Sequence, residues 1–138
     1  MNINALLNQL TKMAIIETNE DALLEKLEVK AEGVDAIRYD KDKLQGGQVL
    51  DRNEKAAIEL IRAKDEIYKR RRKRLRIRVP ASALFHNHLN DEQAFIMDLI
   101  YVQGMSIKEV CAATGLSASW VYDIRRACVD NLKSKVIA

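Results

Sequence analysis

The chain has 138 residues, of which 48% are apolar and 31% charged, and a formal net charge of +3. That length holds about one domain or two very small ones, and the balance is that of a folded soluble protein rather than a disordered or fibrous one. No run approaches the roughly 20 apolar residues of a membrane span, and the N-terminus lacks a basic start followed by an apolar core, so a cytoplasmic protein with no membrane partner is expected.

One proline and five glycines leave few places to break a helix, which predicts an all-α chain. Ile3, Leu6, Leu7, Leu10, Met13 and Ala14 recur at steps of three and four, the stripe of an amphipathic first helix. A second helix is expected from Thr18, with Thr18 and Asp21 as a capping-box-like pair and Leu24, Leu27, Ala31, Val34 and Ile37 on its inner face. Leu44 to Asp51 contains the adjacent Gly46 and Gly47 and reads as a loop ending in a cap at Asp51. The first two helices then form an antiparallel hairpin or coiled-coil-like part.

From Arg52 to Val79 no Gly or Pro intervenes, so one long helix is predicted, with Ala57, Ile58, Leu60, Ile61 and Ile67 as its partner face. Its second half runs into YKRRRKRLRIRVP, Tyr68 to Pro80, which holds eight cations and no acid, more than the whole net charge. Such a run is either a solvated face or a phosphate clamp. Arg70, Arg71, Arg74 and Arg78 recur at helical steps beside a thin apolar face, which favours the clamp. Pro80 disfavours helix at the residue before it, so a boundary is expected there: a helical part over 1–79 and a second domain over 80–138. His86 and His88 then fall in a polar connector.

Asn90 is placed as the cap of the next helix, with Asp91 and Glu92 in the first turn, Phe95, Ile96, Leu99, Ile100 and Val102 on its buried face, and Gly104 at its left-handed end. Ser106 caps a short helix carrying Ile107, Val110, Cys111 and Ala113. Gly115 permits a sharp turn, Leu116 plugs the corner, and Ser117 caps a last helix held by Val121, Ile124, Cys128 and Leu132. Ala112 and Ala113 are small enough to let the two helices approach closely. This is helix-turn-helix spacing.

In such a motif the first residues of the second helix meet base edges in the major groove. The candidate base-reading residues are therefore Ser117, Ala118, Ser119, Trp120, Tyr122 and Asp123. Trp120 is equally a plug against another helix, and Asp123 is either a cytosine reader or a surface residue. Ser106, Lys108, Arg125 and Arg126 join Arg70, Arg71, Arg74 and Arg78 as candidate phosphate contacts. Cys111 and Cys128 read as buried free thiols, since neither belongs to a CxxC pair. No catalytic triad, metal-ligand spacing or phosphate-cradling glycine loop is present in the sequence, so no enzyme, metal or cofactor is expected.

From Tyr101 onward the residues YVQGMSIKEVCAATGLSASWVYDIRRACVDNLK resemble region 4 of bacterial sigma factors: a Tyr-x-x-Gly helix end, Ser-Ile-x-Glu-Val, a Gly-Leu-Ser turn, and Val-x-x-Ile running into Ala-x-x-x-x-Leu. With the helical half in front, the chain is similar to the late transcription regulators of phages and prophages, of the ArpU and RinA type. The resemblance implies a sigma region 4-like, sequence-specific double-stranded DNA-binding regulator in the nucleoid of a bacterial host. It further implies an activator of late genes that works with host RNA polymerase, possible also as a homodimer. Where the sigma pattern has an Arg-Glu pair after the turn, this chain has Ala118 and Ser119, so the sigma operator does not carry over. The DNA-recognition small subunit of a phage terminase is the alternative, because it also joins a helix-turn-helix to an oligomerising helical part.

Overall fold

The computed structural model describes residues 2–136, and within them the side chains of 2–32 and 54–135. The described fold is all-α. Helix α1 is Ile3–His88, α2 is Asp91–Met97, a π-helical segment runs over Asp98–Val102, α3 is Ile107–Thr114 and α4 is Ala118–Val136. The sequence reading divides the chain at Pro80, whereas its contacts group Met1–Ile16 with Arg74–Ala138 as one compact unit and Glu17–Lys73 as a second.

Within Glu17–Lys73, three ion-pair levels define the arrangement: Lys30 with Glu59, Glu28 with Lys64, and Arg71 with Glu20 and Asp21. Each step back along one side is matched by a step forward along the other, the register of two antiparallel helical stretches. Arg71 Nη2 lies 2.7 Å from Asp21 Oδ1. The loop expected over Leu44–Asp51 falls among residues whose side chains are not described, as do Val34 and Ile37.

The inner face of this pair is the expected one in part: Leu24, Leu27 and Ala31 lie on it, as do Leu60 and Ile67, while Ala57, Ile58 and Ile61 are exposed and Ala56 is buried instead. The contact stripe runs through Ala56, Leu60, Ala63 and Ile67, one helical register away from the bulkier residues. No new cap forms at Thr18 either: α1 runs through it, and Asp21 is held by Arg71 instead.

Within Met1–Ile16 and Arg74–Ala138, the start of α1 is capped by Asn2, whose side chain accepts from the Ala5 N–H at 3.2 Å. Its predicted stripe is buried as expected, with Ile3, Leu7, Leu10 and Met13 packed against Ala81, Phe85, Leu89, Ala94, Met97, Cys128 and Leu132. The helix break expected at Pro80 is absent, because α1 continues through it to His88. A proline inside a helix costs about 3 kcal/mol. Full burial of one Phe returns about 1.5–3 kcal/mol, and Phe85 at 0% exposure is joined by Ala81 at 2%. The stretch taken for a polar connector is thus the last two turns of α1. In it, His86 Nε2 lies 2.6 Å from Asp98 Oδ2, and the His88 carbonyl accepts from Lys135 Nζ at 3.0 Å.

Asn90 and Gln93 close the capping box that starts α2. At about 100° of rotation per residue, Ala94, Met97 and Tyr101 fall on one side of the α2 and π-helical stretch, and Ile96, Leu99 and Ile100 on another. Each side feeds a different cluster. Phe95 belongs to neither and is 54% exposed, against the expectation that it is buried. Gly104 takes the left-handed conformation foreseen for it, with φ 71°, and a Cβ there would meet the Ala14 Cβ at 2.8 Å.

Candidate nucleic-acid interface

Helices α3 and α4 are built around a small core of Ile96, Val110 and Val121, flanked by Leu99, Ile100, Met105, Ile107, Cys111, Leu116 and Ile124. Ser106 caps α3 by accepting from the Glu109 N–H at 3.2 Å, and its hydroxyl donates in return to Glu109 Oε1 at 3.1 Å. Gly115 ends α3 at φ 76°, and its N–H donates to the Cys111 carbonyl. Ser117 then accepts from the Trp120 N–H at 3.2 Å, which fixes the first turn of α4. Each cap and the left-handed glycine stand where the spacing put them. Ala112 and Ala113 do not: both are exposed, and the close packing runs through Val110 and Val121.

Val121, Cys128 and Leu132 are fully buried along one stripe of α4. Taking Val121 as the zero of a helical wheel at about 100° per residue, Ala118, Tyr122 and Ser119 fall at roughly 60°, 100° and 160°. Arg126 follows near 140°, whereas Asp123 and Trp120 turn further round, near 200° and 260°. All six base-reading candidates are exposed. Trp120, at 53% exposure, is no plug within this chain. The Ser117 hydroxyl is already occupied as an acceptor by the helix start.

The cations divide. Arg126 and Lys108 are exposed, and Arg125 lies over the Tyr122 ring with its guanidinium carbon 5.2 Å from the centroid. That stacking orients both side chains, a cation–π contact worth about 0.5–1 kcal/mol at an exposed site. Burial holds the Tyr101 hydroxyl above its ordinary range, opposed by the positive charge of Arg125. Arg74 and Arg78 are half-buried and engaged within the protein.

In the other unit, Arg70 pairs with Glu66 one turn away, at 3.5 Å and with both side chains exposed. Arg71 is held more firmly, by Asp21 at 2.7 Å and by Glu20, whose side chain is only 7% exposed, at 3.3 Å. The hydrogen bond to Asp21 is the main cause that raises the Arg71 pKa, with Glu20 adding to it against the cost of burial. Arg71 is therefore an ion-pair partner within its own unit, unlike Arg70, whose partner lies one turn away on the same helix.

One groove carried a sequence signal on one wall only, at Tyr122, Arg125 and Arg126. This open groove of about 590 Å³ runs between the first two turns of α1 and the flank of α4, where Asn4 and Asn8 face Tyr122, Arg126 and Lys133. Lys133 is legible in hindsight, seven residues from Arg126 on one helix face. Asn4 and Asn8 were not, since they are distant in sequence and uncharged. Among the described residues no three His, Cys, Asp or Glu side chains gather as metal ligands, and no helix is long and apolar enough to cross a membrane.

An all-α protein with a helix-turn-helix formed by its last two helices is what fold and site define together. The chain belongs to the family described as "Protein of unknown function (DUF1492)", whose model matches residues 34–133. Comparison with curated proteins and with solved structures gives no match.

Proposed function

We propose that the chain is a sequence-specific double-stranded DNA-binding transcription regulator, an activator of phage or prophage late genes acting with host RNA polymerase. The observation that supports this reading is the outer face of α4, where Ala118, Ser119, Tyr122 and Arg126 are exposed on one flank of a helix whose opposite side is fully buried. A hydroxyl and a small apolar group at the helix start suit base edges and thymine methyls, and the cation a turn or two on suits phosphate. Asp123 and Trp120 are exposed further round the same helix. Ser106 and Lys108 at the start of α3 are the remaining exposed phosphate candidates of this unit; Arg70 is an exposed one in the other unit, where Arg71 is engaged by Glu20 and Asp21.

The test is a fluorescence-anisotropy titration of the full chain against a library of promoter fragments and a random duplex at several salt concentrations. A fragment bound at least tenfold more tightly than the random duplex is the expected result. Equal binding throughout, or none, removes the reading. Light scattering separates it from DNA packaging: a monomer or dimer fits regulation, and a ring of eight or more subunits fits a terminase small subunit.

A further inference from the structure

The groove between α1 and α4 has the chemistry of an anion site. Arg125, Arg126 and Lys133 set three cations against the single carboxylate of Asp130, and the facing wall contributes the carboxamides of Asn4 and Asn8. Leu7 and Val129 supply apolar surface between them. The groove is open, and nothing in it is arranged to enclose a small molecule. It also continues a face already described: Tyr122, Arg126, Val129 and Lys133 follow at steps of four, three and four on α4, on the same flank as Ala118 and Ser119.

We propose that this groove takes the sugar–phosphate backbone of a DNA duplex, so that the first two turns of α1 form part of the nucleic-acid interface. The inference rests on the reading of α4 as a DNA-recognition helix and adds a second wall to it. From Arg126 to Lys133 is seven residues, on the order of 10 Å along the helix. Phosphates of one strand follow at about 3.4 Å along the duplex axis, so the cationic wall spans about three of them. Asn4 and Asn8, one helical turn apart, donate amide N–H groups to phosphate and sugar oxygens from the other side. Half-buried Val129 lies against deoxyribose, on a floor closed by the core residue Leu7. Contacts of this kind fix register and orientation without reading sequence.

Three full-length variants test the assignment against the preferred fragment and a random duplex: Asn4→Glu with Asn8→Glu, Lys133→Ala, and Asn8→Lys. Asn4, Asn8 and Asp130 are exposed, so the first pair changes charge without disturbing the core. Two carboxylates on the groove wall are expected to weaken both duplexes alike, by about tenfold. Lys133→Ala should flatten the slope of log K against log salt by about 0.9, and Asn8→Lys should steepen it by about 0.9 while tightening both duplexes. A gain of affinity cannot come from misfolding.

If the wild type binds DNA and all three variants keep its affinity and slope, the groove is not a backbone site, although α4 still reads DNA. If the wild type binds no duplex, both readings fall. Saturable binding of inorganic phosphate, abolished by Lys133→Ala while duplex binding stays intact, would overturn the assignment in favour of a free-anion site.

Discussion

Replacing Gly104 by alanine should destabilise the protein far more than the same change at Gly115, although both glycines have nearly the same backbone conformation. Gly104 has φ 71° and Gly115 φ 76°, so each substitution forces a Cβ into the left-handed region at about 1–2 kcal/mol. The surroundings differ. Nothing lies within 4 Å of a Cβ at Gly115, while one at Gly104 would sit 2.8 Å from the Ala14 Cβ and 3.8 Å from its Cα. Carbon atoms pack best at about 3.5–4.0 Å, and Ala14 has no rotatable side chain, so α1 itself must shift. Overpacking of that kind costs about 1–3 kcal/mol, which puts Gly104→Ala at about 2–5 kcal/mol against about 1–2 for Gly115→Ala.

Urea unfolding followed by circular dichroism measures both. Ala14→Gly supplies the control, since it removes the colliding methyl at a helix cost of about 1 kcal/mol. In the double variant Ala14→Gly with Gly104→Ala, the clash should vanish as a coupling energy of about 1–3 kcal/mol. Equal losses at the two glycines, with no coupling to Ala14, would refute the close approach of α1 to the end of the π-helical segment.

Ser117→Ala should lower stability by about 1 kcal/mol, and Ser117→Asp should restore most of it, as measured by thermal unfolding, because the Trp120 N–H needs an acceptor. Cys128 is fully buried and its thiol is pushed up to about 11 by desolvation, whereas Cys111 is partly exposed. Thiol titration at pH 8 should therefore find about one reactive thiol per native chain and two in denaturant, since at that pH only about one in a thousand Cys128 groups is thiolate. Two thiols reacting at once in the native protein would show that α4 is not packed as described. Arg71→Ala should cost about 1–3 kcal/mol by removing one charged partner of the buried Glu20 carboxylate. Glu20→Gln in the same chain should recover part of that loss, and an unchanged urea midpoint in Arg71→Ala would return Arg71 to the solvated face.

The C-terminal third was legible because its signals are local. Ser106, Gly115 and Ser117 act on backbone within four residues of themselves, and Val121, Cys128 and Leu132 follow the period of a single helix. The misread features depend on partners far away in the chain. Pro80 is a reliable local breaker, yet Phe85 and Ala81 have a core to enter, and its return matches the local penalty. Phe95 looks like a core residue by type, but α2 is already flanked by two clusters that leave its third side to solvent. Arg71 looked like one of four equivalent cations until Glu20 and Asp21, some fifty residues earlier, came alongside. The groove is of the same kind: Tyr122, Arg125 and Arg126 are marked on α4, but nothing in the first turns of α1 marks Asn4 and Asn8 as their facing wall.

The cluster that joins Ile3, Leu7, Leu10 and Met13 to Cys128 and Leu132 also sets an order of events during synthesis. At about 5–20 residues per second, the first stripe leaves the ribosome well before the helix that covers it has been made. Four large apolar side chains then wait in solvent for several seconds, on a segment that will otherwise associate with whatever apolar surface it meets. Held back in this way, the start of α1 and the end of α4 complete their shared core only when the last turns of α4 emerge, so a nascent chain truncated before Leu132 leaves that stripe uncovered.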